Sequence, residues 1–385
     1  MGIIRKRLQR SRRAFVVAIA LLACTQSLVA HALEADSVLG HLHHHHLLTT
    51  TVPRNGDQNP YGIAVAPVSA GSIHRNDVLI SNFNNSKNLQ GLGTTIVAYH
   101  PDSGSLSTFA TLPRHLPAGG PQCPGGVGLT TALTMLSSGY VIVGSLPSED
   151  GTTTTKSQGC LLVLDSAGKL VSSITGAQID GPWGNMALHE HPGGATLFVS
   201  NTGFGVGAAD GTPPVVQRAT ILRIELAFGP GQPPRVTGQT VVADGLGEQA
   251  DKSVFIIGPT GLALDADGTL YASDALGNRI VAIDDALTRT ASAGQGREIS
   301  RDGLLNRPLA LVQAPGGHLL TTNGLNGQVV EIDPKGHRQI GAQWFDSDKA
   351  QSPPGSGDLF GIAATPSGDG FYYVEDDVNT LQLAN

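Results

Sequence analysis

The sequence predicts an all-β chain folded as a six-bladed β-propeller of four-stranded antiparallel blades. Three observations predict it. One segment recurs six times along the 385 residues, at intervals of 70, 52, 77, 49 and 51 residues between equivalent small residues, Gly62, Ala132, Gly184, Gly261, Ala310 and Gly361. Each copy reads as short apolar strands joined by tight turns, and repeats of that length built from strands are the mark of propeller blades. No stretch sustains the 3.6-residue apolar period of a helix.

The chain opens with a predicted signal peptide, residues 1–32. Arg5, Lys6, Arg7, Arg10, Arg12 and Arg13 form a basic start, Ala14–Ala23 is apolar, and Ala30-His31-Ala32 is a small-residue cleavage site. This predicts a periplasmic or secreted protein. Arg12-Arg13 before Ala14-Phe15 also fits a twin-arginine signal, which would export the chain folded. A lipoprotein anchor at Cys24 fits less well, since Leu22 is a poor match and the apolar stretch runs on past the cysteine. Six basic and no acidic residues leave with the signal, taking the formal charge from −7 to −13. So acidic a domain has no electrostatic reason to hold nucleic acid or anionic membrane. No later apolar run nears the roughly 20 residues of a membrane-spanning helix.

Residues 33–46 are predicted to be a flexible, His-rich segment, and 47–385 the propeller. The last repeat stops at Leu383 without room for a fourth strand, whereas Leu47–Val52 is rich in β-branched residues. That segment is expected to complete the last blade, closing the ring and covering an open edge. The clearest blade, Gly258–Asp284, shows the pattern: an apolar strand, an Asp-Ala-Asp-Gly turn, a second strand, a Gly-Asn turn and a third strand. Turns between first and second strands are mostly short hairpins. The opposite face carries the long segments Phe83–Gly93, Leu146–Gly159, Thr202–Arg218, Gly245–Gly258, Gly294–Asn306 and Asp346–Gly357. Long loops on a rigid scaffold are where binding and chemistry reside, so a site is expected there.

Cys24 leaves with the signal, so Cys123 and Cys160 remain as an even pair. Cys123 lies on the connection entering the inner strand of blade two, and Cys160 ends the connection from its second to its third strand. Those connections share a face of an up-and-down blade, so a disulfide is expected; two free thiols are the alternative.

Pro259, Gly261, Leu262, Ala263, Tyr271, Asp274, Asn278, Arg279 and Ile280 resemble the NHL repeat, and the other copies match it in part, over roughly residues 55–385. The chain is also distantly similar to gluconolactonase/regucalcin-like propellers. That resemblance implies one calcium-like divalent cation near the channel, held by Glu, Asn and Asp, which would polarise a lactone carbonyl.

The residue before each repeat anchor should line the channel mouth on the long-loop face: Tyr61, Thr131, Trp183, Thr260, Leu309 and Phe360. An aromatic mouth could stack a flat or sugar-like ligand; equally, large rings could plug the channel. None of the six is a carboxylate or Asn. Asn59, Asp180 and Asp358, up to three residues upstream, are the remaining candidates for a cation. The polar residues closing the second strands (Asn82, Asn201, Asp274, Asn323 and Asp376, with Ser145 in blade two) read as structural, because short polar side chains there hydrogen-bond turn amides. His41, His43, His44, His45 and His46 are a compositional signal for a transition metal in an accessory role. No complete catalytic motif is present. The sequence therefore favours a binding or interaction scaffold without a cofactor, its partner a protein, a glycan or a small molecule. Metal-dependent hydrolysis is the rival.

Overall fold

The computed structural model describes residues Ser37–Asn385; the predicted signal peptide, residues 1–32, and Cys24 within it lie outside the described residues. The chain forms six antiparallel sheets arranged as the blades of a propeller, with two three-residue 3-10 turns, Leu39–His41 and Thr153–Thr155, among the described residues. Blade one comprises Gln58–Val65, Val78–Asn84, Thr95–His100 and Ser105–Thr111. Blade two comprises Leu129–Met135, Val141–Ser145, Cys160–Leu164 and Leu170–Ile174. Blades four and five follow the same order, Pro259–Leu264 to Arg297–Arg301 and Pro308–Gln313 to Arg338–Trp344.

Blade six takes only three strands from the C-terminus: Leu359–Ala364, Phe371–Glu375 and Thr380–Ala384. Its fourth is N-terminal and antiparallel to the last, with His45 opposite Ala384 and Thr50 opposite Thr380. The ring is thus closed by an N-terminal strand, which runs over His45–Thr50 rather than Leu47–Val52. The partner strand sets this start. The backbone N–H groups of His43 and His44 both donate to the Asn385 carbonyl, at 3.0 and 2.9 Å, so pairing begins inside the histidine tract, which the sequence predicts to be flexible. Just upstream, Leu39 and Leu42 are buried among blade-five and blade-six residues.

Blade three departs from the plan. Its inner strand is split into Gly181–Pro182 and Ala187–His191. Its outer strand, Arg235–Asp251, outruns the blade and turns back to pair with Phe255–Ile257. The segment Gly245–Gly258, expected as a loop, is therefore largely a β-hairpin.

Close approach of neighbouring inner strands explains the small anchor residues. A Cβ on Gly184 would lie 1.4 Å from the Thr260 carbonyl oxygen of the next blade, and one on Gly261 would lie 2.5 Å from that of Leu309. Hydroxyls on the second strands then bridge the blades. Ser81 Oγ donates to the Thr130 carbonyl at 2.7 Å, Ser200 Oγ to that of Thr260 at 3.1 Å, and Thr322 Oγ1 to that of Phe360 at 3.0 Å. The Cys123–Cys160 disulfide is formed, with Cα atoms 5.5 Å apart.

Register corrects one position of the repeat. Pro259 faces Asp274 and Pro308 faces Asn323, but in blade six the equivalent Leu359 faces Glu375. Glu375, not Asp376, closes the second strand there. The series does anchor loops: Asn201 Oδ1 accepts from the N–H groups of Asp180 and Gly181, both at 3.0 Å, Asp274 Oδ1 accepts from Gly277 N–H at 3.0 Å, and Asn323 Oδ1 accepts from Asn306 N–H at 2.9 Å.

Candidate functional site

The channel-mouth residues come together, but as packed interior. Tyr61, Thr131, Trp183, Thr260, Leu309 and Phe360 are all buried. The Tyr61 ring stacks on Phe360 at a centroid distance of 3.8 Å and on Phe83 at 4.8 Å. Phe83 meets Trp183 and Phe255 edge-on, at 5.4 and 5.6 Å. Thr260 Oγ1 donates to the Gly258 carbonyl at 3.0 Å, and Thr131 Oγ1 donates to that of Trp183. Five rings fill the long-loop end of the channel; both threonine hydroxyls are bonded, and the Tyr61 hydroxyl is buried there without a partner.

Phe83 and Phe255 are additions to the residues the sequence predicts for this site. Phe255 carries no periodic signal, since it sits in a three-residue strand at φ +71°, a conformation bulky side chains rarely adopt. Its ring belongs to the plug and also lines a cavity of about 410 Å³ on the outer side. Gln90, Thr152, Thr153, Asp251 and Lys252, carried by the long connections of blades one to three, complete the walls. Those connections are tied together. Gln90 Nε2 donates to the Ser253 carbonyl at 2.7 Å, and Lys252 pairs with Asp210 at 3.1 Å. Asp251 accepts from Ser253 Oγ at 2.6 Å and from Arg307 at 3.3 Å. Although burial opposes ionisation of Asp251, these bonds and the Arg307 charge hold its carboxyl below its ordinary value. A cavity with polar and charged walls on tethered loops suits a small polar ligand.

The three residues expected to hold a cation are not brought together. Asp180 belongs to blade three, across the ring, and pairs with Lys156 Nζ at 3.1 Å. Beside that pair, Glu248 is fully buried, with Oε2 bonded to Thr202 and Gly203 and Oε1 without a partner; burial raises its carboxyl. Asn59 Nδ2 donates to Asp376 Oδ2 at 3.1 Å, at the seam of blades one and six.

Asp358 lies where the loop from blade five enters blade six, with partners that the sequence does not point to. One oxygen each from Asp346, Asp358 and Asp377 lies within 4.8 Å of the others. Burial, with Asp346 and Asp377 adjacent, pushes Asp358 up to about 8. Glu375 is pushed up to about 7 by burial and by Asp346 and Asp377. The cluster assembles only when the loop entering blade six meets a turn of that blade, and spacing along the chain gives no hint of it.

The histidine tract divides. His45 packs one side against the blade, with Nδ1 3.0 Å from Tyr373 Oη and its ring edge-on to Phe345 at 5.0 Å; though it stays exposed overall, this partial burial lowers its basicity. His41, His43, His44 and His46 are exposed, with the rings of His44 and His46 6.1 Å apart.

No family model matches the chain, and no curated protein sequence matches it. Solved structures do. A gluconolactonase from Xanthomonas campestris is 12% identical with a TM-score of 0.54, covering 89% of this chain and 88% of its own. Regucalcin, a calcium-binding protein from Agrobacterium tumefaciens, is 14% identical with a TM-score of 0.52, covering 89% and 94%. A luciferin-regenerating enzyme is 12% identical with a TM-score of 0.50, covering 87% and 94%. At these identities the likeness is one of fold, and one fold serves several activities. No helix among the described residues is long and apolar enough to cross a membrane.

Proposed function

We propose that this chain is an exported binding protein that takes a small polar ligand, such as a sugar, in the cavity beside the aromatic plug. One observation carries the reading: a cavity of about 410 Å³ is walled by tethered polar side chains of the long connections, with the buried Phe255 beneath it. That volume falls within the roughly 300–1,000 Å³ usual for small-ligand sites. The disulfide suits an oxidising compartment, in keeping with export.

The mouth residues weigh against a lactonase. In gluconolactonase-like propellers the hard ligands come from inner strands at the channel, whereas here the equivalent side chains are aromatic, aliphatic or bonded hydroxyls inside the plug. The test is ligand-observed NMR of the mature protein with a panel of mono- and oligosaccharides and polar metabolites. Binding that weakens in Lys252→Ala and Gln90→Ala supports the reading. Chelator-sensitive lactone hydrolysis, or ligands indifferent to both substitutions, would overturn it.

A further inference from the structure

We propose that Asp346, Asp358 and Asp377 form a binding site for a calcium-type divalent cation where the loop from blade five enters blade six. This goes beyond the ligand cavity, with which the cluster shares no residue.

Ligands bound to calcium at about 2.3–2.6 Å can stand no further apart than about twice that distance. The three carboxylate oxygens lie within 4.8 Å of one another and meet this limit. Proximity of acids alone would mean little. Two of these carboxylates, however, face each other withdrawn from water, and no N–H or O–H of another residue reaches the facing oxygens. Asp358 is 4% exposed and Asp346 8%, and the Oδ2 atom of each is buried without a hydrogen-bond partner. The other Asp346 oxygen is engaged, accepting from Asp348 N–H at 2.8 Å. A third orphan stands beside them. Gln351 lies near Asp377, and its Oε1 is buried without a partner. A buried polar atom left unpaired costs about 1–3 kcal/mol, more when charged, so this density of bare oxygens calls for a ligand.

Three hard carboxylate oxygens, two of them buried, suit calcium better than magnesium, which keeps several of its waters. Soft transition metals would prefer imidazole or thiolate. Bound there, the ion would tie the 346–358 loop to the second turn of blade six, next to the contact between Asn59 and Asp376.

Equilibrium dialysis of the mature protein with calcium, together with its thermal midpoint in calcium and in chelator, tests the proposal. One ion per chain and a higher midpoint in calcium are expected. Asp358→Asn and Asp346→Asn should abolish both effects. Asp377 is exposed, so Asp377→Asn should fold regardless and weaken binding about tenfold or more. Terbium offers a second readout, since Trp344 is two residues from Asp346 and can sensitise its emission; calcium should quench that signal. Absence of calcium binding, or binding undiminished in Asp377→Asn, would overturn the site. Loss of calcium binding with sugar binding retained would strike this proposal and leave the ligand cavity standing.

Discussion

Glu331 of blade five accepts the backbone N–H of Leu39 at 3.0 Å, so a buried carboxylate holds the chain on its way to the closing strand. The same carboxylate takes Val38 N–H at 2.9 Å, Ser37 Oγ at 2.8 Å and His318 Nδ1 at 2.6 Å. Ring closure therefore has two parts, a strand pairing in blade six and a polar latch on blade five.

Glu331→Ala should destabilise the protein by about 2–3 kcal/mol, because hydrogen bonds to a charged group are removed and two N–H donors lose their acceptor. Hydrogen exchange should show the loss first at Val38–Leu42. Burial raises the Glu331 carboxyl, but its hydrogen bonds outweigh burial and leave it below the ordinary 4.5. A depressed carboxylate contributes stability above its unfolded value and loses it as pH falls through the folded one. The latch should thus be intact at neutral pH and weaken on acidification below about 4.5, a dependence that Glu331→Gln should flatten.

Gly184→Ala should be among the most damaging single changes, since its Cβ would sit inside the Thr260 carbonyl of the next blade. A loss of more than about 4 kcal/mol, or failure to fold, is expected. Gly341 in blade five has an ordinary φ, and a Cβ added there would meet nothing within 4 Å, so Gly341→Ala should be neutral or stabilising by up to about 1 kcal/mol. Chemical denaturation of the two variants side by side checks both expectations.

Replacing both Cys123 and Cys160 by Ser should cost roughly 4 kcal/mol on the chain-entropy account, given that 37 positions separate them. Denaturation midpoints of wild type with and without reductant should bracket the variant. No difference between oxidised and reduced protein would mean that the pair does not constrain the unfolded chain.

What can be read from the sequence, and what cannot, follows from how far apart the interacting residues lie. Gly184 and Gly261 are legible because each blade repeats the same close approach, so the requirement for a small residue repeats too. The closing strand is legible as β-branched residues, but its start is not, because the Asn385 carbonyl, more than 300 residues away, sets it. The repeat pattern points to Asp376 and is off by one, because blade six puts Glu375 where shorter residues stand elsewhere, and only the pairing with Leu359 shows it. Phe255 gives no local signal, because it lies on a non-repeating hairpin. Of the acidic cluster only Asp358 is singled out by the repeat, because its partners come from the irregular loop before blade six and from a turn of that blade.

Adjacent threonines in blade five offer a last test of how the blades are joined. Thr322 Oγ1 donates to the Phe360 carbonyl of blade six and accepts from Ala310 N–H at 3.1 Å. Thr321 is equally buried, yet its Oγ1 has no partner. Side chains alternate along a strand, so one hydroxyl reaches the seam and its neighbour does not. Thr322→Val keeps the shape and removes both bonds, which should cost about 1–3 kcal/mol. Thr321→Val removes only an unsatisfied polar atom and should be neutral or stabilising by up to about 1 kcal/mol. Equal losses in the two variants, measured by urea denaturation, would show that the hydroxyl at the seam does not join the blades.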